Sequence, residues 1–438
     1  MLTDKWQEMY RQKLLPIDEA VSKVPDHAQI AVGMCAAEPP GLLGRLHTLY
    51  GLRTDIRVLA ALLMRPYEWI AKPEYASTFT HEAWFYGDAA RTAAKSHGQV
   101  TVIPNNLHRA GKDRYEAKPV NVLFHTVSPL DKHGYFSMSL STCYERWVLE
   151  TADLVIVEVN ENTPRTFGDT MLHISQVDWI VENHVPVLEF PNIKPGPEEE
   201  AIAGHIAGMI EDGSTIQLGI GGIPNAVATF LKDKNDLGVH TEMIVDAMLD
   251  LYEAGVITNA RKHLDKYKTV GCFAAGSRRL YAWLDNNPAI EIRDGNYTND
   301  PYNIARQPKM ISINTAIAVD LTGQVCSESI GPVQYSGTGG QRDTHVGALM
   351  SPGGKGIIAL RSTAKNGTIS TMTPMLAQGS IVTMTRNDLD YVVTEYGVAH
   401  VRGLSVHDRC AALIRIAHPN YREQLAEEAL KYGWLPRR

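Results

Sequence analysis

Short runs of apolar, β-branched residues, Ile56 to Leu63, Val120 to Val127, Leu154 to Val159 and Tyr391 to Thr394, alternate along the chain with longer segments of helical periodicity. Runs this continuous lack the in-and-out alternation of a sheet wetted on one face. They predict buried strands in a largely parallel sheet with helices on both sides, an α/β fold. A chain of 438 residues exceeds one ordinary core and implies two domains of roughly 200 residues each. Between Pro191 and Glu200, three prolines and a glycine interrupt both helix and strand. That stretch is the expected linker, dividing the chain into domains 1–194 and 195–438.

The two halves resemble each other. Asp26-His27-Ala28-Gln29-Ile30-Ala31-Val32-Gly33 aligns without gaps on Asp212-Gly213-Ser214-Thr215-Ile216-Gln217-Leu218-Gly219, and Asp153 to Glu158 aligns on Asp390 to Glu395 in the same order within each half. The preserved order points to duplication of one domain type.

Composition narrows the function. An apolar fraction of 44% with 21% charged residues is that of a soluble globular protein, and a net charge of -7 supplies no basic field for nucleic acid or an anionic membrane. Five scattered cysteines, never in a Cys-x-x-Cys pair, fit a reducing cytoplasm. The N-terminal residues have no apolar signal-peptide core, and no apolar run approaches the ~20 residues of a membrane helix. No histidine spacing suggests a metal site, and no Gly-x-Ser-x-Gly elbow is present.

Two glycine-rich segments stand out. Gly219-Ile220-Gly221-Gly222-Ile223-Pro224 lies between a strand expected at Ile216 to Leu218 and a helix expected at Asn225 to Leu231, a turn that presents helix N-terminal N–H groups to an anion. Alternatively it is a tight turn without a ligand. The dinucleotide fingerprint fails because its third glycine would fall on Pro224. A phosphate-loop NTPase fails because Gly353-Gly354-Lys355-Gly356 lacks a following Ser or Thr. The second segment, Ser336-Gly337-Thr338-Gly339-Gly340-Gln341-Arg342, suggests with the first an extended polar ligand.

Two carboxylates accompany these loops. Glu242, between a loop and the apolar run from Met243, is ionised at neutral pH unless burial intervenes, and can then attack an activated acyl group. Its other reading is a solvated or helix-capping residue. Glu395 ends a buried strand, where α/β folds place their sites; it either orients a ligand or pairs with an arginine such as Arg402.

At this point the chain resembles the class I coenzyme A transferases, in particular the group of 4-hydroxybutyrate, butyrate and acetate CoA-transferases together with acetyl-CoA hydrolases. The resemblance rests on Ala37-Glu38-Pro39-Pro40, Val127-Ser128-Pro129, Gly219 to Pro224, His240 to Met243, Asn299-Asp300-Pro301, Asp320 to Gln324, Gly337 to Gln341 and Glu395 to Ala399, and spans nearly the whole chain. It implies two similar α/β domains with the site between them. It places the nucleophile on Glu242 and the acyl-CoA loop on Gly219, Ile220, Gly221, Gly222 and Ile223. A CoA-binding motif falls on Gly337, Gly339 and Gly340, to which Lys355 is added as a further CoA-binding candidate, and Asn299 and Glu395 fall in supporting positions.

The resemblance also implies acyl-CoA and small carboxylates as substrates, no cofactor beyond coenzyme A as substrate, no metal, and a cytoplasmic homo-oligomer such as a homodimer. Two stretches depart from the family pattern. Arg342-Asp343-Thr344 replaces a small apolar residue followed by Asp-Phe, and Val245-Asp246-Ala247 replaces Ser-Asp-Gly. Arg342 is therefore a candidate for selecting an acceptor with a second carboxylate, because a guanidinium pairs bidentately with such a group. The alternatives are a surface arginine or a partner for a CoA phosphate.

Overall fold

The computed structural model describes residues 2–96, 99–190, 194–219 and 221–436. Pro191, Asn192 and Ile193 of the expected linker, and Ile220 of the first glycine loop, lie outside them. The chain forms two compact units. The first comprises Met1–Pro191, Ile244–Asp246 and Val270–Thr298, and the second comprises Asn192–Met243, Ala247–Thr269 and Asn299–Arg438. Each is therefore assembled from several stretches rather than from one half of the chain.

The first unit is built on seven parallel strands: β1 (Gln29–Val32), β2 (Ile56–Ala61), β3 (Phe79–Phe85), β4 (Val100–Val102), β5 (Val122–Val127), β6 (Leu154–Val159) and β7 (Trp179–Glu182). Their order is β7-β6-β5-β1-β2-β3-β4. Ile30, Val32, Val58, Phe124, Ile156 and Val181 are buried together in its core. The predicted apolar runs became strands because both faces are covered. The run from Ile56 stops at Ala61, where Leu62 turns to a φ of 53° and leaves the sheet.

The second unit carries β8 (Thr215–Leu218), β9 (Gly238–Val239), β10 (Met310–Thr315), β11 (Lys355–Ala359), β12 (Tyr391–Thr394) and β13 (Gly397–His400). They lie in the order β9-β8-β10-β11-β12-β13, parallel except for the β12–β13 pair. Four helices concern the site: α1 (Pro197–Ala207), α2 (Gly222–Phe230), α3 (Pro301–Ala305) and α4 (Gln341–Met350).

The repeated sequences fall on β1 and β8 and on β6 and β12. One strand separates β1 from β6, whereas two separate β8 from β12, so the second pair does not occupy equivalent sheet positions. The glutamates at the C-terminal ends of those repeats, Glu158 inside β6 and Glu395 just after β12, nevertheless do similar work. Glu158 accepts from Gly41 N at 3.2 Å and Leu42 N at 3.0 Å, and Glu395 accepts from Ser362 N at 2.9 Å.

Candidate active site

Parallel strands deliver their C-terminal ends to one edge of the sheet, where ligands of open α/β sheets bind. In the second unit β8 runs into Gly219, and the neighbouring β9 runs into His240, Thr241 and Glu242. His240 and Thr241 are buried, and Thr241 Oγ1 donates to Met243 O at 3.1 Å, bending the backbone at Glu242.

The Glu242 side chain meets two elements fixed by their own sequences. Asn299 precedes Asp300-Pro301. Asp300 caps α3 by accepting from Tyr302 N at 2.9 Å, and Pro301 takes the first helical turn, where its missing N–H costs nothing. Asn299 is thereby held fully buried, and its Nδ2 donates to Glu242 Oε2 at 3.0 Å. The second element is the start of α4. Gly339 has a φ of 55°, and Gly340 stands at the N-cap and donates its backbone N–H to Glu242. A methyl group on Gly340 would overlap both the Asn299 amide nitrogen and Glu242 Oε2, so only glycine permits this approach.

Charge around Glu242 is balanced by opposing effects. Burial raises its carboxyl to about 7, and the buried Asp343, in the first turn of α4, adds like-charge repulsion; the Asn299 amide and Gly340 N–H act against both. The side chain is closely surrounded yet keeps part of its surface accessible. Such a carboxyl exchanges its proton near neutrality, and its ionised form is an available oxygen nucleophile.

The second glycine loop runs into Gly340, and the first follows β8, the strand beside the one that leads to Glu242. Gly219 N donates to Ile313 O at 2.9 Å, and a side chain there would come to 3.5 Å from Asn314 Oδ1. Gly221 has a φ of 125°, a conformation suited to glycine, and Gly222 and the buried Ile223 open α2. The second loop is pinned by Glu328: its backbone oxygen accepts from Tyr335 N and Ser336 N, and Thr338 Oγ1 donates to its carboxylate at 2.9 Å. Gly337 and Gly339 lie on either side of that threonine.

Glu242, Asn299 and Gly340 are thus in contact, with Asp343 among the charges acting on Glu242. Three other expected site residues have different partners. Lys355 begins β11, at the N-terminal rather than the C-terminal end of a parallel strand. Its ammonium donates to Met209 O at 2.8 Å and lies 3.8 Å from Glu211, so it is held away from Glu242. Arg342 pairs with Asp388 at 3.3 Å. Glu395 is taken by the backbone and hydroxyl of Ser362, whereas Arg402 reaches Leu349 O.

Sequence reasoning missed Asp343 as a tuning charge. It also missed a buried polar network that seats α4. Ser312 Oγ lies 3.1 Å from Gln217 Oε1, to which its proton can go, and shares a hydrogen bond with the Thr344 hydroxyl at 2.9 Å, while Asn314 Nδ2 reaches Ser312 Oγ at 3.0 Å and Thr344 Oγ1 at 3.1 Å. A partial signal was present: Gln217 is a polar residue inside the strand expected at Ile216 to Leu218, and a buried polar group needs a partner. Among the described residues, no cluster of three or more His, Cys, Asp or Glu side chains is arranged to hold a metal, and no helix is long and apolar enough to cross a membrane.

Residues 2–189 match the family model of the acetyl-CoA hydrolase/transferase N-terminal domain, and residues 276–429 match that of the corresponding C-terminal domain. The chain is 44% identical to the 4-hydroxybutyrate coenzyme A transferase of Clostridium kluyveri, over 98% of this chain and 99% of that one. It is 40% identical to the butyryl-CoA:acetate CoA-transferase of Anaerostipes caccae, over 97% and 98%. Among solved structures, RipA from Yersinia pestis superposes with a TM-score of 0.94 at 38% identity, covering 98% of this chain and 100% of that one.

Proposed function

Because the chain belongs to the acetyl-CoA hydrolase/transferase family, we propose that it moves coenzyme A from an acyl-CoA donor to a small carboxylic acid, with Glu242 as the covalent relay. The observation that carries this reading is the Glu242 carboxyl, gripped by Asn299 and the Gly340 N–H and pushed up to about 7 by burial. A relay must be anionic to attack and must also be a tolerable leaving group, and a proton affinity near neutrality serves both.

In the first step a Glu242 oxygen attacks the thioester carbonyl, the C–S bond breaks, and CoA leaves as its thiolate, giving an acyl-glutamyl anhydride. The thiolate then attacks the glutamyl carbonyl, expelling the donor's carboxylate and leaving a glutamyl-CoA thioester. An acceptor carboxylate runs the same two steps in reverse and departs as the new acyl-CoA. Each tetrahedral intermediate carries an oxyanion, and the backbone N–H groups of Gly221 and Gly222, at the start of α2, are the donors proposed for it.

Incubation with an acyl-CoA followed by intact-protein mass measurement tests the relay. A covalent CoA adduct is expected in the wild type and none in Glu242→Ala; an adduct that survives the substitution rejects Glu242. The family's description includes hydrolysis, and the partial exposure of Glu242 gives water a route to the same anhydride or thioester. Release of CoA without any acceptor, at a rate matching that with acceptor, would make hydrolysis the principal activity.

A further inference from the structure

The strand that leads to Glu242 is the outermost of its sheet and only two residues long. Its inner side is ordinary: Gly238 N donates to Ser214 O and His240 N to Ile216 O, both on the β8 side. Successive residues of a strand direct their peptide groups to opposite sides, so Val239 directs its N–H and C=O outward, where among the described residues the sheet has no further strand, only a single parallel bridge from Leu237 to Ile257. Two side chains from one following loop take their place. Asn259 Oδ1 accepts from Val239 N at 2.8 Å, and the ammonium of Lys262 donates to Val239 O at 2.8 Å and to Lys268 O at 2.7 Å.

Lys262 is fully buried. Burying an ammonium is costly unless its donors are satisfied, and surface lysines normally keep their charge in water. Space for its stem exists because residue 238 is glycine, where a Cβ would sit only 2.6 Å from Lys262 Cγ. Asn259 adopts a φ of 57° and donates its own Nδ2 to Thr269 Oγ1 at 3.1 Å, so this clamp is itself anchored. On the same loop His263 N donates to Gln307 Oε1 at 3.1 Å, and the Gln307 side chain lies 3.5 Å from the His240 ring. From outside, then, Val239 is held at both its N–H and its C=O, the Lys262 stem packs on Gly238 and Gln307 reaches the His240 ring, just before the bend that presents Glu242.

Resting on the relay reading of Glu242, we propose that Lys262 is a positioning residue for that group: its ammonium fixes the Val239 carbonyl and, three residues on, the direction from which the Glu242 carboxylate meets Asn299 and Gly340. Misplacement by about 1 Å costs on the order of 100-fold in rate, and substrate contacts made elsewhere are untouched. The expected signature is a fall in kcat with KM retained.

Steady-state transfer and adduct formation are measured for wild type, Glu242→Ala, Lys262→Met and Asn259→Ser, with circular dichroism and thermal melting to establish folding. Lys262→Met is expected to lose at least tenfold in kcat and in the rate of adduct formation, with KM for acyl-CoA changed less than twofold; Asn259→Ser is expected to move the same way by a smaller factor. Wild-type kcat in a folded Lys262→Met overturns the proposal, as does a loss confined to KM. If Lys262→Met does not fold, Asn259→Ser decides: reduced kcat at constant KM supports the clamp and unchanged kcat rejects it. Absence of an adduct in the wild type would sink the relay reading, and with it the inference. An adduct lost in Glu242→Ala but formed at full rate in the clamp variants would sink the inference alone.

Discussion

At the scale of residues, the raised Glu242 carboxyl fixes two pH dependences. Turnover should rise as Glu242 ionises, with an apparent pKa near 7 in a kcat/KM profile. Asp343→Asn removes a like charge and should move that inflection to lower pH; an inflection that stays in place would show that Asp343 does not act on Glu242. The stability effect has the opposite sense to that of a salt-bridged acid. A carboxyl whose folded value exceeds its unfolded value leaves stability intact while both states are protonated, and lowers it progressively as pH climbs from the unfolded value through the folded one. Glu242→Gln should therefore melt higher than wild type at pH 8, with the gap closing toward pH 4 in paired thermal scans. Gly340→Ala tests sterics without altering charge: the new methyl overlaps Asn299 and Glu242, and adduct formation should fall by more than tenfold although the fold persists.

Elements determine how accurately those residues meet. α4 is set on β8 and β10 by the Gln217, Ser312, Asn314 and Thr344 network, so its N-terminal glycine inherits the register of the sheet. Thr344→Val keeps the volume but leaves Ser312 and Asn314 short of a partner. A buried unsatisfied group costs about 1–3 kcal/mol, so the urea midpoint should drop with the slope unchanged, and kcat should fall as α4 loses its seat. Much at this scale was legible beforehand. Leu154–Val159 and Tyr391–Thr394 carry enough β-branched and apolar residues to predict the observed strands, and the glycine turn does lie between β8 and α2, although α2 starts at Gly222 rather than at the expected Asn225. Lys355 was harder to place. Its glycine-rich setting suggests an anion site, but composition does not say which end of a parallel strand a residue occupies. Lys262 and Asp343 gave no signal at all, since a buried charge looks like a solvated one until the fold surrounds it.

At the scale of the whole molecule, the units do divide within the expected linker, between residues 191 and 192, but later stretches cross back over that division. The stretch 270–298 follows that linker by some eighty residues, yet it belongs to the first unit. There Glu291 and Ile292 pair in parallel with Phe167 and Gly168, and Gly295 N donates to Cys143 O at 3.1 Å. Separately expressed 1–194 and 195–438 should each be poorly folded, with weak protection in amide exchange, whereas co-expression should restore a soluble complex. Independent, cooperative melting of the 1–194 piece would contradict this.

An open sheet ordinarily offers its rim to any passing strand, and proteins blunt that hazard with charges, bulges or covering helices. Along β9 the rim has been reduced to a single outward peptide whose donor and acceptor are already occupied by an amide and an ammonium from the same chain. A foreign strand therefore finds nothing there to zip onto, and a substitution that frees the Val239 carbonyl should leave the protein not only slower but also more prone to self-association.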